Sequence, residues 1–199
     1  MSPLGSREKQ TLLEIGRRAL ILAVERRESL EEFPADEILW QPGGAFVTLR
    51  RRQRLRGCVG ELPSHRALIH VVAHCARAAA LEDSRFEPVG PAELQEVEIE
   101  VSILSPLFGI TLERIEVGKH GLLVSHGWQR GLLLPQVATQ FGWAAERFLE
   151  ETCVKAGLVR DAWKHPDIRV EAFTADVFSE SELWPPAQAR TSPGYSSSV

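Results

Sequence analysis

The sequence predicts an α+β protein, with helices segregated from a mainly antiparallel sheet. Stretches of alternating apolar and polar residues are joined by short turns, a pattern typical of antiparallel strands. Helical spacing of apolar residues is confined to separate segments, which argues against a doubly wound α/β sheet. The chain has 199 residues, 44% of them hydrophobic, so it can bury an ordinary core as a single domain.

The first part of the chain predicts a helix, a hairpin and a second helix. Apolar residues recur at helical spacing over residues 7–27 and again from Leu68 to about Leu81. Between these helices, residues 45–50 and 55–60 alternate in polarity around a short polar turn. We therefore expect a β-hairpin whose returning strand contains Cys58.

A strong strand is predicted over residues 97–104. Its apolar residues share one face, and Glu98, Glu100 and Ser102 share the other. A hairpin is expected over residues 115–125, around a glycine-flanked turn.

The last part of the chain predicts a helix, a strand and a tail. Pro135 suits the first position of a helix, which is expected to be interrupted near Gly142 and to end at Gly157. Alternation predicts a strand over residues 168–178. Residues 181–199 are rich in Pro, Ser and Ala and are expected to form a disordered tail.

Composition and motif searches exclude several classes of protein. The three cysteines are widely spaced and contain no C-x-x-C pair, so neither a disulfide framework nor a zinc knuckle is indicated. The net charge of −4 argues against a large nucleic-acid surface. No secretory signal or membrane span is recognisable, which predicts a cytoplasmic protein. Nucleotide-binding and hydrolase motifs are lacking, and we expect no cofactor.

The most chemically suggestive residues are Arg56, Gly57 and Cys58. A nearby guanidinium lowers the pKa of a thiol and favours the nucleophilic thiolate. Gly57 allows backbone or substrate to approach closely. Three readings of Cys58 stay open: a reactive thiolate, a metal ligand, or a small packed strand residue.

Other polar residues offer weaker signals. Five arginines crowd residues 50–56, as either an anion site or a solvated turn, and Arg56 is the best candidate for anion binding. His70 and His74 lie four apart on a helix without the glutamate of a metalloprotease motif, so no metal site is assigned. His120, in a turn, could transfer protons, as could Glu100 at a strand centre.

Several segments resemble one family in the same order along the chain. Residues 55–60 read Leu-Arg-Gly-Cys-Val-Gly and closely resemble the signature hexapeptide of the AMMECR family. Residues 83–86 read Asp-Ser-Arg-Phe and look like the family's Asp-x-Arg-Phe loop. The resemblance spans roughly residues 8–180, so an AMMECR domain is expected over residues 7–180. The later motifs of the family have look-alikes at residues 120–121, 133–138, 142–143 and 152–158.

The resemblance implies a two-lobed AMMECR-type fold, with a smaller second lobe and a cleft between the lobes. It also implies the stand-alone prokaryotic form, called AmmeMemoRadiSam system protein A. Such proteins accompany a Memo-like protein and a radical SAM protein, which are therefore the expected partners. The resemblance does not supply a reaction.

Three functional hypotheses follow. In an enzyme, Cys58 would be the nucleophile, Arg56 the anion clamp and His120 or Glu100 the proton-transfer group, while the amide of Gln136 orients the substrate. In a ligand-binding module, the cleft would hold a small anionic ligand or a modified nucleotide and present it to the radical SAM protein. Arg56 and Arg85 would then matter, and Cys58 would be packing. In an adaptor, the chain would only dock the Memo-like protein.

Overall fold

The protein is described by a computed structural model over residues 4–34 and 36–184, and the chain divides into two compact units. Unit 1 runs to Ile103 and resumes at Val177, and unit 2 is Leu104–Asp176. This division confirms the larger and smaller lobes that the resemblance implied. The cleft expected between them stays a prediction.

The α+β class predicted from the sequence is confirmed by the order of the elements. The helices are α1 (Ser6–Arg26), α2 (Leu68–Leu81), α3 (Pro135–Phe141), α4 (Ala145–Lys155) and α5 (Glu180–Leu183). The strands are β1 (Gly44–Arg51), β2 (Arg54–Glu61), β3 (Val97–Leu104), β4 (Phe108–Gly109), β5 (His120–His126), β6 (Gln129–Leu133) and β7 (Arg169–Ser179). Within the described residues, no helix combines the length and apolar character that a bilayer crossing requires.

In unit 1, strands β2, β1 and β3 lie side by side in that order, and β2 is the edge strand. Alternate residues of β1 and β3 enter the same core as the apolar faces of α1 and α2. That core buries Ala45, Val47, Leu49, Val97, Ile99, Val101 and Ile103 from the two strands. The predicted polarity of β3 is therefore confirmed, and its polar residues lie on the opposite face.

Gly57 lies where β2 comes closest to α2. A Cβ atom placed on this glycine would be 2.1 Å from the carbonyl oxygen of Ala79, a backbone atom that cannot move aside. Only glycine permits this approach. Because strand residues alternate, Cys58 faces away from α2. Gly57 therefore serves helix packing, and this position argues against the ligand-binding role predicted for it.

In unit 2, β7 pairs with β4 and with β5, and β5 also pairs with β6. All of these pairs are antiparallel. The hairpin expected over residues 115–125 is wrong. The strand begins only at His120, and β5 instead turns at Gly127, which has φ +58°. The predicted start of a helix at Pro135 and its break at Gly142 are confirmed, since Gly142 has φ +65°.

Within unit 1, Glu180, the residue that follows β7, contacts α1 and β3. Its carboxylate accepts hydrogen bonds from the guanidinium of Arg17 and from the backbone N–H of Ile99. Arg17 also donates to the carbonyl oxygens of Leu94 and Val97. The tail predicted from residue 181 thus begins as the helical turn α5, and its remainder lies outside the described residues.

Replacing Gly57 by alanine tests the contact between β2 and α2. We expect Gly57→Ala to lower the free energy of unfolding by about 1–3 kcal/mol, because the new methyl group overlaps a backbone oxygen. Gly109→Ala is the matched control, since no atom lies within 4 Å of its added Cβ. Urea unfolding measures both variants, and equal stabilities for the two would contradict the packing account.

Candidate functional site

Two of the residues predicted to act in unit 1, Cys58 and Glu100, lie on the sheet face that points away from α1 and α2. We call this surface the polar strand face and define it by Thr48, Arg50, Cys58, Glu98, Glu100 and Ser102. Two direct contacts tie it together. The hydroxyl of Thr48 lies 3.5 Å from the Cys58 sulfur, and Arg50 Nε lies 3.2 Å from a carboxylate oxygen of Glu100.

The backbone of Cys58 is closed off by the loop that follows α2. Its N–H donates to a carboxylate oxygen of Asp83 at 2.8 Å, and its carbonyl oxygen accepts from the Arg85 guanidinium at 3.4 Å. These are the outward-facing groups of an edge strand, which would otherwise be open to pairing with another chain. The side chains of Asp83 and Arg85 therefore bond to the backbone groups of Cys58 that a further strand would otherwise pair with.

This backbone arrangement also explains the contact between Thr48 and Cys58. The two residues are directly opposite in the β1–β2 register. Because the N–H of Cys58 bonds outward to Asp83, the two residues form a non-hydrogen-bonded pair. Side chains approach most closely in such pairs.

The thiol of Cys58 is held in its neutral form. Burial raises the pKa of Cys58, and this outweighs the hydrogen bond from Thr48 and the charge of Arg85, which lower it. The charge of Arg85 is offset by Asp83, with which it forms a two-pronged ion pair. The predicted thiolate activated by arginine is therefore not supported by the surroundings of the sulfur.

Arg56 is committed to the structure of the loop. Its Nε and one terminal nitrogen each lie 2.9 Å from an oxygen of Glu93, and its other nitrogen donates to the carbonyl oxygen of Glu87. The hydrogen bonds from Arg56 hold the pKa of Glu93 at about 2. Arg56 thus fastens the loop to β2, which argues against the predicted anion clamp.

Each arginine at the site is matched by a carboxylate. Arg50 pairs with Glu100, Arg56 with Glu93 and Arg85 with Asp83. The turn arginines, Arg51 and Arg52, pair with Glu93 and Glu96. Arg54 is the exception, since it is exposed and has no acidic partner within the described residues, but the pairing of Arg85 with Asp83 argues against the anion-binding role predicted for Arg85.

His120 and Gln136 belong to unit 2, and their approach to Cys58 stays a prediction. His120 is a buried strand residue, contrary to the turn position expected for it. Its Nδ1 accepts the backbone N–H of Glu116 at 3.1 Å, and its ring packs edge-on against Phe108. These contacts support a role in holding the turn before β5. Gln136 lies in the first turn of α3, partly exposed.

The helix histidines also have ordinary partners. His70 packs against the rings of Phe33 and Trp40, and His74 lies 3.4 Å from Glu61. Within the described residues, no group of three or more His, Cys, Asp or Glu side chains is arranged to hold a metal ion.

Sequence reasoning missed three residues that shape the site. Asp83, which bonds to both Cys58 and Arg85, was visible only as the first residue of the Asp-x-Arg-Phe segment. Glu93 lies 37 positions from Arg56, and nothing in the local sequence joins them. Ser102 was seen as a strand residue, but its hydroxyl is fully buried and has no hydrogen-bond partner among the described residues.

The fold and the site define a two-unit α+β protein in which an Asp-x-Arg loop closes an Arg-Gly-Cys edge strand. The family model AMMECR1 matches residues 13–178, and the chain belongs to that family. A protein of Methanothermobacter thermautotrophicus is 42% identical over 188 residues, which are 90% of this chain and 97% of that relative. A protein of Methanopyrus kandleri is 37% identical over 92% of this chain and 93% of its own length.

A solved structure supports the same assignment. The crystal structure of an uncharacterized protein from Pyrococcus horikoshii superposes with a TM-score of 0.79 at 38% sequence identity. The match covers 84% of this chain and 89% of that chain. These matches agree with the family assignment, and the names of these relatives do not state an activity.

Acid unfolding tests the role of Asp83. The hydrogen bond from Arg85 holds the pKa of Asp83 at about 2, below its value in an unfolded chain. Its stabilising contribution is therefore complete above about pH 4 and is lost as the pH falls towards 2. We expect Asp83→Asn to cost about 1–3 kcal/mol at pH 7 and to flatten part of this acid dependence.

Asp167→Asn is the matched control, because Asp167 is 73% exposed. Urea unfolding between pH 2 and 7 compares the two variants with the unmodified chain. An Asp83→Asn variant as stable as the control at pH 7 would contradict the closure of β2 by this carboxylate.

Proposed function

We propose that this AMMECR1-family protein is a binding component that acts with a Memo-like protein and a radical SAM protein. In this proposal the polar strand face is the recognition surface, and Cys58 is a packed residue of that surface. The partners are those that the family resemblance implies.

One observation carries the choice of binding over catalysis. The backbone groups of Cys58 are used to close the sheet edge, and burial raises the pKa of its thiol. A nucleophilic cysteine needs the opposite, a depressed pKa or an adjacent base. Of the two carboxylates on this face, Glu100 is paired with Arg50, and Glu98 accepts a hydrogen bond from the backbone N–H of Ser181.

The composition of the polar strand face supports recognition of a polar partner group. Its charged residues Arg50 and Glu100 form a balanced ion pair whose side chains are 32% and 18% exposed. Balanced charge favours specific hydrogen bonding over long-range attraction of an anion. The face therefore suits an uncharged or zwitterionic polar group better than the small anion expected from the arginines.

A cysteine-dependent enzyme is the second candidate, and two observations favour it. Cys58 is only partly buried, and the positive charge of Arg85 lowers the pKa of its thiol. In that reading, a further positive charge supplied by a substrate or a partner would lower the pKa of the thiol. Chemical labelling separates the two candidates.

Labelling with iodoacetamide tests whether Cys58 is a thiolate. We expect the labelling rate of native Cys58 to rise with a midpoint above the ~8.5 of an ordinary thiol, because burial disfavours the charged form. Cys75 and Cys153 are fully buried and serve as internal controls that label only after unfolding. Peptide mass spectrometry assigns the sites. A midpoint well below ~8.5 would overturn the binding proposal in favour of the enzyme.

Co-purification tests the recognition surface. We expect Cys58→Ala to retain the co-expressed Memo-like and radical SAM proteins, and Glu100→Lys to lose them, because a reversed charge on the polar strand face opposes Arg50 and any matched partner. Glu25→Lys is the matched control on the exposed face of α1. Thermal unfolding checks that the variants fold.

If the Glu100→Lys variant still retains the Memo-like and radical SAM proteins, the partner surface is not the polar strand face. Loss of both partners on Cys58→Ala, in a folded variant, would contradict the packed role of the cysteine.

A further inference from the structure

Unit 2 contains an open pocket that the proposed function does not use. Its volume is about 670 Å³, within the usual range of small-molecule sites. Two segments, residues 109–114 and 163–170, form most of its lining, and Leu149 of α4 completes it. All of these residues belong to unit 2, so the pocket is independent of the polar strand face.

One polar group in this pocket has no acceptor. The indole Nε1–H of Trp163 is buried and has no hydrogen-bond partner among the described residues. Buried donors in proteins are nearly always satisfied, and this one has no accessible surface, so it reaches an acceptor in the pocket only if the Trp163 ring shifts. Its neighbours in the lining are apolar, namely Leu149, Ile168 and Val170.

The rim of the pocket carries positive charge. Arg114 and Arg169 are exposed and have no acidic partner within the described part of the chain. Lys164 is placed with its Nζ 5.2 Å from the centre of the Trp163 ring, a cation–π contact that keeps the ammonium group at the pocket. This excess of cations stands out in a chain whose net charge is −4.

The acidic groups near the rim are already engaged. Glu113 is held by hydrogen bonds from its own backbone N–H and from the hydroxyl of Thr111, which lower its pKa. Asp167 lies 3.6 Å from Nδ1 of His165. Neither carboxylate pairs with a rim arginine. Arg114, Lys164 and Arg169 outnumber Glu113 in the lining, so the rim attracts an anion from solution.

We propose that this pocket binds a small carboxylate whose body is apolar and carries a hydrogen-bond acceptor. The apolar body lies against Leu149, Ile168 and Val170, and the carboxylate lies at the cationic rim. The ring of Trp163 shifts on binding, so that its buried indole N–H donates to the acceptor atom.

Nuclear magnetic resonance of the indole N–H groups tests this site directly. The signal of Trp163 is identified by its disappearance in Trp163→Phe, and benzoate and benzoylformate are the probes. We expect both acids to shift this signal saturably, while methyl benzoate and methyl benzoylformate, which lack the charge, bind at least about tenfold more weakly.

Variants at the rim provide the second readout. Arg114→Gln and Arg169→Gln are each expected to weaken benzoate binding roughly tenfold, because each removes a charge-assisted contact. Arg130→Gln, an exposed arginine of β6 outside the pocket, is the matched control and should leave binding unchanged. An unaltered pattern of the remaining indole signals shows that each variant is folded.

Three results would overturn the proposal. The first is the lack of a saturable shift of the Trp163 signal up to about 20 mM of either acid, a concentration far above a functional Kd. The second is equal binding of the acids and their esters. The third is a loss of binding in Arg130→Gln as large as that in the rim variants.

Discussion

The structure of the candidate site depends on how the edge of the unit 1 sheet is closed. The outer backbone groups of β2 at Cys58 are taken by two side chains, the carboxylate of Asp83 and the guanidinium of Arg85. Arg56 fastens the same loop through Glu93. The Arg-Gly-Cys and Asp-x-Arg segments are thus held together by hydrogen bonds. The loop covers a strand edge that would otherwise be open to pairing with another chain.

The closure of this edge also determines the chemistry of Cys58. The closed edge orients the cysteine towards Thr48 and keeps the sulfur partly buried. The positive charge of Arg85 is neutralised by its ion pair with Asp83. A sequence rich in arginine around a cysteine predicts a thiolate, but Arg56 and Arg85 are paired with carboxylates. In the proposed function, these residues form a binding surface whose polarity comes from a neutral thiol and balanced ion pairs.

Local patterns predicted the local structure well. The period-two alternation of residues 97–104 correctly separated the core face of β3 from its polar face, and Gly142 correctly predicted a helix break. The glycines around His120 were mistaken for a hairpin turn, because turn residues alone do not reveal which strands pair. The partners of Arg56 and Cys58 come from a loop 25 to 37 residues away, and charge patterns in the sequence do not specify such contacts.

Hydrogen exchange at the amide of Cys58 tests the central claim most directly, since it reports whether the edge of β2 is closed. The measurement compares the unmodified protein with Asp83→Ala at neutral pH, followed by nuclear magnetic resonance. We predict a protected Cys58 amide in the unmodified protein and rapid exchange in the variant, with the core amides of β1 unaffected. Rapid exchange in the unmodified protein, or protection that survives the loss of Asp83, would contradict the account.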